Sequence, residues 1–395
     1  MAVRTLVELY DERPLENVLG VEIFRPERVI YVCPNDLPKE APDQLRNYFS
    51  HRGLTAELHF VHVNLYDTRA IVAVFEQILA SNPRDLTLDI TGGTDAVLFA
   101  AGLACDGKDV PVVTYSRTRN RFYSIQHGER EEYACDVSLS VEDCFRMAGG
   151  TMRQGRVDNA VLSRYREDIG PFFALYLRHR KRWDRTVTYI QRLSAADAEG
   201  NYTLQAEGAY HVKGERGSRI SAPEEALREM EEIGLIADLV ILPEERVSFR
   251  FRDDQIRTWL RDVGSVLELY VYQTCLDSGI FNDVRISAVV DWRESEKRDA
   301  VSNELDVMCT RGIIPAFISC KTCMIHTEAL NELAILRDRF GGEMAQAAIV
   351  SAEYARATAR NRAAELGIRV IDLGDLEKGR LEELLRRMMR IPKHQ

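Results

Sequence analysis

The stretch "NELDVMCTRGIIPAFISCK" (residues 303–321) places Asp306 in the middle of one apolar run and Lys321 at the end of the next. A carboxylate inside a strand is costly to bury without a partner. Arg311-Gly312 reads as the turn of a hairpin, and folding the strands back to back brings Asp306 near the Ser319–Lys321 segment. An acid and a lysine at adjoining strand ends can hold a divalent metal and position a water. The metal would stabilise phosphorane-like charge, and the lysine would steady hydroxide or phosphate. Upstream, Glu268 in "GSVLELYVYQ" sits among the apolar Leu267, Val271 and Cys275 on a predicted helix. Taken singly these residues also fit structural roles, an ion pair across a hairpin and a snorkelling acid. Their order along the chain is what favours chemistry.

Lys321 is flanked by Cys320 and Cys323, a Cys-x-x-Cys spacing. Structural zinc takes four ligands, and the sequence offers no second pair and only His326 close by. The eight cysteines, at 33, 105, 135, 144, 275, 309, 320 and 323, lie mostly within apolar runs and are expected to be reduced core residues.

A second constellation is "LDITGGTDAVLFAAGLA" (88–104), read as a strand, a Thr-Gly-Gly-Thr turn and a helix. Glycines let the backbone approach a ligand, and a helix N-terminus offers free N–H groups to phosphate. Thr91 and Thr94 add hydroxyls. The sequence has neither the Walker spacing nor a G-x-G-x-x-G after a strand. By itself such a turn is as often structural as functional.

The elements that must position these groups follow from periodicity. In residues 1–150, strand patterns at 5–10, 28–33, 56–63, 85–90 and 110–116 alternate with helix patterns at 42–53, 68–82 and 95–107, and a hairpin follows at 121–140. That order predicts a parallel, Rossmann-like sheet. Residues 151–253 are less regular. A helical run over 168–194, a turn-rich stretch, a helix at 223–236 and a strand–turn–strand at 239–254 suggest a winged-helix-like connector. Residues 254–395 restart an α/β pattern: one long helix over 254–279, three strands (284–292, 303–311, 313–321), then helix, strand, helix, strand. The expected fold class is therefore α/β, in three parts.

Hydrophobic content of 45% and charged content of 29% suit a soluble globular protein, and at 395 residues more than one domain is expected. The net charge of −10 argues against coating nucleic acid by bulk electrostatics but leaves a local groove open. No apolar stretch is long enough for a membrane span, and the acids in "MAVRTLVELYDERP" come too early for a secretory signal, so a cytoplasmic location is expected.

Helix with Glu268, hairpin with Asp306, strand ending in Lys321, then helix: over about residues 255–375 this order resembles the PD-(D/E)xK nuclease core. The second acid of that motif would fall at Ser319, a poor ligand for a hard cation. The resemblance then implies a Mn²⁺ or Mg²⁺ site built from Asp306 and the Cys320 carbonyl with help from Glu268 or Glu304. The N-terminal part, through "DITGGTDAVLFAAGLA" and the polar turn of "LYDERPLENV", resembles a CARF domain, the cyclic-oligoadenylate sensor of type III CRISPR systems. Together the halves resemble the CARF-fused nucleases activated by cyclic tetra-adenylate. That resemblance implies a homodimer with the ring across the CARF interface, and single-stranded RNA or DNA, or duplex DNA, as substrate. It implies Thr91, Gly92, Gly93 and Thr94 at the phosphates, and Asp11, Glu12, Asn17 and Asn35 near adenosines or sugars. Two alternatives stand beside it. One is a CARF-type transcription regulator binding duplex DNA through the middle region, although helix 223–236 carries five glutamates and one arginine. The other is an enzyme that only degrades the messenger in its own pocket.

Overall fold

The computed structural model describes residues 3–82, 85–125, 131–154, 159–195, 202–214, 217–291 and 302–390. Seven strands form the N-terminal sheet: β1 (Thr5–Leu9), β2 (Arg28–Pro34), β3 (Glu57–Val63), β4 (Leu86–Asp89), β5 (Val112–Ser116), β6 (Arg121–Ser124) and β7 (Glu132–Ala134). Their spatial order is β3-β2-β1-β4-β5-β6-β7. The first five are parallel, and β6 and β7 add an antiparallel edge. β1 is buried along its whole length, as a strand covered on both faces must be. Its side chains alternate between two cores: Leu6 joins Tyr31, Tyr48 and Phe122, while Val7 joins Ile30, Phe75 and Val97. The chain leaves β1 toward β2 and β3, then returns to β4 on the other side. β1 and β4 therefore flank a topological switch point, where open α/β sheets bind ligands beyond the strand C-termini.

β8 (Thr151–Gln154) leads into the middle region. The helical run expected over 168–194 is two helices, Arg166–His179 and Trp183–Leu193, separated by a 3-10 turn at Arg180–Arg182. The turn-rich stretch that follows holds three short strands, β9 (Gln205–Ala209), β10 (His211–Lys213) and β11 (Arg219–Ser221). The Glu224–Glu232 helix precedes the hairpin of β12 (Ile236–Leu242) and β13 (Arg246–Phe251), and β9 pairs with β13 as its third strand.

The C-terminal sheet contains β14 (Asp283–Asp291), β15 (Ser302–Arg311), β16 (Ile314–Lys321), β17 (Gln346–Ser351) and β18 (Arg369–Ile371), in the order β18-β17-β16-β15-β14-β8. β8, from the segment expected to be connector, thus extends this sheet by pairing with β14. The single helix expected over 254–279 is broken into Asp254–Leu260 and Ser265–Asp277. Asp262 causes the restart: its carboxylate accepts the Ser265 N–H at 2.8 Å and the Ser265 hydroxyl at 2.7 Å, satisfying a helix-start donor. Among the described residues, no helix is long and apolar enough to cross a membrane.

The faces of β16 can be assigned from its contacts. Phe317 and Pro315 lie under Gly341, at the end of the Thr327–Gly341 helix, so close that a Cβ there would stand 2.8 Å from the Phe317 ring. By alternation Ser319 and Lys321 share that face. Cys320 points to the other face, toward Cys275 and Glu268 on the Ser265–Asp277 helix.

Candidate functional site

Pairing between β15 and β16 runs in register from Arg311–Ile314 to Val307–Ile318. Beyond that pair, the Cys320 N–H goes instead to Asp306 Oδ2, at 2.6 Å. The Ser319 hydroxyl donates to the same oxygen at 3.1 Å, and Lys321 Nζ stands 3.7 Å from it. An acid inside an apolar strand is thereby given partners at the point where two strands part. Burial pushes the Asp306 carboxyl up from its ordinary value, against the opposing pull of Lys321, the Cys320 N–H and the Ser319 hydroxyl. Asp306 and Lys321 keep 19% and 35% side-chain exposure, enough to meet a substrate from outside.

Glu304 lies two residues before Asp306 on β15, exposed, and its charge acts on Asp306. Its Oε1 accepts a hydrogen bond from the Ser287 hydroxyl on β14. The structure thus gathers Asp306, Ser319, Lys321 and Glu304. It holds Glu268 elsewhere: that side chain is buried under the opposite face, acting on Cys320 and reaching back toward Gly264. The Cys320 thiol is buried and pushed well above its usual range, so what Cys320 can offer the site is backbone.

Among the described residues, no three Asp, Glu, His or Cys side chains gather into a metal centre. A cation at this hairpin would draw on Glu304 and Asp306, with the Cys320 carbonyl nearby. One or two carboxylates are what Mg²⁺ takes when water and substrate phosphates complete its shell. The residues fit a water-rich cation of that kind and do not fit an all-protein cage.

The second site lies at the switch point. Asp11, just past β1, accepts the Gly93 N–H at 3.0 Å and so ties the first strand's turn to the Thr-Gly-Gly-Thr turn. Gly93 has φ +95°, and a Cβ there would stand 2.6 Å from Leu9 Cβ, so both conformation and space demand glycine. Gly92 is similarly close-packed, with the Leu9 carbonyl and Asp11 each 3.0 Å from a would-be Cβ. The Thr91 hydroxyl is already engaged, donating to Asp89 Oδ1 and accepting the Tyr115 N–H at 3.0 Å. Thr94 is exposed and caps the Asp95–Cys105 helix without a side-chain bond of its own. Asn17 is buried and braces the loop, accepting the Asp11 N–H at 2.8 Å and donating to the Asp11 carbonyl at 2.7 Å. Glu12 and Asn35 are exposed nearby in the chain, at the ends of β1 and β2.

Behind this turn are two groups that the sequence reading did not single out. Glu8 and Asp89 are register partners on β1 and β4, both fully buried. Both Glu8 oxygens and Asp89 Oδ2 lack a hydrogen-bond partner among the described residues. They face Gly20, where a Cβ would stand 2.4 Å from Asp89 and 2.6 Å from Glu8. Burial raises the Asp89 carboxyl to about 7 despite its Thr91 bonds, and burial plus the neighbouring Asp89 charge raises Glu8 well above its usual range. An acid inside "VEL" and another inside "LDI" was the available signal.

A chain of charges runs from the ligand turn toward the C-terminal sheet. Arg13 holds Asp11 with paired bonds of 2.9 and 2.8 Å and donates from Nη1 to Glu343 Oε1 at 2.9 Å. Arg117 joins Glu343 to the buried Glu16. Burial works against ionisation of Asp11, but the Arg13 bonds outweigh it and hold its carboxyl below the ordinary value. Glu343 directly follows the Thr327–Gly341 helix and its Gly342 cap, the helix that packs on the face of β16 carrying Ser319 and Lys321.

The fold and one segment of the sequence resemble known proteins. Residues 254–391 match the family model of the Card1-like endonuclease domain. No curated protein matches the sequence. Among solved structures, protein VC1899 from Vibrio cholerae superposes with a TM-score of 0.79 at 17% identity, with both chains covered in full. Can2 from Sulfobacillus thermosulfidooxidans, in complex with cyclic tetra-adenylate, superposes with a TM-score of 0.70 at 20% identity, over 98% of this chain and 97% of that one. The chain therefore shares the fold of VC1899 and Can2 along its length, and its segment 254–391 matches the Card1-like endonuclease domain.

Proposed function

We propose that this chain is a cyclic-oligoadenylate-activated endonuclease of type III CRISPR defence, cytoplasmic and homodimeric, that hydrolyses phosphodiesters of RNA or DNA with Mn²⁺ or Mg²⁺. The observation that carries the reading is the Asp306–Ser319–Lys321 cluster at the parting of β15 and β16, inside the segment that matches an endonuclease domain. Residues 1–150 sense the ligand, 151–253 connect apart from β8, which extends the C-terminal sheet, and 254–395 cut.

In this reading Asp306 and Glu304 hold the cation. When bound, the cation supplies Lewis-acid stabilisation of the phosphorane charge and a more acidic water. Ser319, standing where the motif's second acid is expected, fixes the Asp306 carboxylate by donating to it. Lys321, with its Nζ 3.7 Å from Asp306, is placed to meet a phosphate oxygen or hydroxide. Cyclic tetra-adenylate, the ligand in the Can2 complex, is the expected activator. Gly92 and Gly93 let its phosphates approach the backbone, Thr94 and the helix start donate to them, and Glu12 and Asn35 face its nucleosides. Asp11 and Asn17 hold the turn in shape. Activation requires the ligand to favour one arrangement by differential contacts, and the Asp11–Arg13–Glu343 link carries that preference to β16.

The regulator alternative draws no support from the helix that would read DNA. Its Glu229 is paired with Arg178 and His179, and Glu224 with Arg228. The test is cleavage of labelled single-stranded RNA and of plasmid DNA with Mn²⁺, with and without cyclic tetra-adenylate. Ligand-dependent cutting is expected, abolished in Lys321→Ala while ligand binding persists. Cutting that survives this substitution overturns the site assignment. Ligand binding without cutting in the wild type favours the regulator.

A further inference from the structure

β14 pairs with β15 at Ile286–Val307 and again at Ala288–Leu305, and the register is the same on both sides. The pair between them, Ser287 with Asp306, is missing from the ladder. Ser287 there has φ +54°, a left-handed conformation that an L side chain rarely adopts inside a strand, and it is only 1% exposed. A strand residue held in that conformation needs something to hold it, and such outliers point toward function.

Two sets of contacts among the described residues act on it. On the backbone side, Asn159 bonds the residue before it: its Oδ1 accepts the Ile286 N–H at 3.1 Å, and its Nδ2 donates to the Ile286 carbonyl at 3.4 Å. Among the described residues, β8 pairs with β14 from Ala288 onward, and Asn159 is the partner of Ile286 just before it. On the side-chain side, the turned Ser287 sends its hydroxyl to Glu304 Oε1. The acid pair on β15 is thus flanked by a serine on each neighbouring strand, Ser287 bonding Glu304 and Ser319 bonding Asp306.

We infer that Ser287, braced by Asn159, is a positioning residue that aims Glu304 at the Asp306–Lys321 cluster, so that Glu304 serves as the second carboxylate that position 319 lacks. This rests on the endonuclease reading above. An exposed glutamate on a strand samples many rotamers, and a hydrogen bond to a buried hydroxyl on a fixed backbone removes most of that freedom. Ser319 cannot supply a carboxylate, and Glu268 lies under the other face. Glu304 shares the β15 face of Asp306 and is the acid acting on it electrostatically.

The test measures Mn²⁺ binding to the full chain by the EPR signal of free Mn²⁺, together with thermal melting. Ser287→Gly removes the hydroxyl and suits φ +54°, so its melting temperature should hold or rise. Its Mn²⁺ affinity should fall about 10-fold or more, as when a ligand's outer partner is lost. Glu304→Gln should lose affinity as well, and the double variant should bind no more weakly than Glu304→Gln alone, because Ser287 acts through Glu304. Asn159→Ala, which leaves Ser287 itself intact, should weaken Mn²⁺ in the same direction. Wild-type affinity in Ser287→Gly or Asn159→Ala, or additive losses in the double variant, overturns the inference and leaves the endonuclease reading standing. A wild type that neither binds Mn²⁺ nor cuts nucleic acid overturns both.

Discussion

Asp89→Asn tests whether the buried acids behind the ligand turn are protonated in the native protein. Asp89 is fully buried, with Oδ1 on the Thr91 N–H at 2.8 Å and Oδ2 without a partner beside Glu8. Its carboxyl is raised from 3.8 to about 7, chiefly by burial. A raised folded value means that the native state holds the proton more tightly than the unfolded chain. The resulting stability is complete below the unfolded value and is lost as pH rises through about 7. About 3 units at 1.36 kcal/mol each give roughly 4 kcal/mol in all, of which about 1 kcal/mol is lost between pH 6 and pH 8. Asparagine does not titrate. Its oxygen can still accept the Thr91 N–H, and its amide can donate to Glu8. The assay is the melting temperature of wild type and variant at pH 6, 7 and 8. Wild type should lose about 2–4 °C more than Asp89→Asn across that range, for about 1 kcal/mol in a domain of this size. The variant should be the more stable protein at pH 8, with ligand affinity retained. Parallel pH curves for the two proteins would refute the reasoning, because Asp89 would then be ionised in the native state at pH 6.

The remaining predictions concern coupling and the protonation of Asp306. Glu343→Gln removes the anion shared by Arg13 and Arg117. Activation by cyclic tetra-adenylate, measured as the ratio of cleavage rates with and without ligand, should fall about 5-fold or more, the low end of ordinary coupling energies. Ligand affinity should change far less than that ratio, since Glu343 lies outside the turn, and an unchanged ratio would remove the charge link from the mechanism. In the metal-free protein Asp306 should gain its proton above the ordinary aspartate value, because burial raises it, and a carboxyl NMR titration without metal checks this. Ser319→Ala deletes a hydrogen bond that favours the ionised form, so the same metal-free titration should show the midpoint moving further up. A midpoint that stays or moves down would show that the Ser319 hydroxyl does not favour the ionised Asp306.

Much of the fold could be read from the sequence because its patterns are local. The continuous apolar runs of "TLVEL" and "RVIYVC" are what strands buried on both faces require, and they became β1 and β2. Asp306 and Lys321 could be read because an acid inside an apolar run and a lysine at a strand end ask for partners, and hairpin geometry supplies them. Glu8 and Asp89 sent the same kind of signal, but each lies in a different strand, and only parallel pairing across the crossovers brings them together. The break at 261–264 was written in Asp262 and Gly264, yet the apolar spacing continues through both helices and hides it.

What could not be read depends on distance along the chain or on backbone angles. β8 joins a sheet whose other strands begin at residue 283, and nothing in "TMRQ" names that partner. Glu343 reads as one acid after a glycine-ended helix until the fold sets it against Arg13 and Arg117. Ser287 is the clearest case. Its neighbours "VRISAVV" predict an ordinary strand, and in the structure they form one, with unchanged register on either side. Among the described residues, contacts from Asn159 and Glu304, 128 and 17 positions away, meet a left-handed backbone at that one residue. The same logic explains how a nuclease-like hairpin can carry serine at position 319. A second acid does not have to come from the strand that bears the lysine, provided that another strand presents one on the same face and a fixed hydroxyl holds it there.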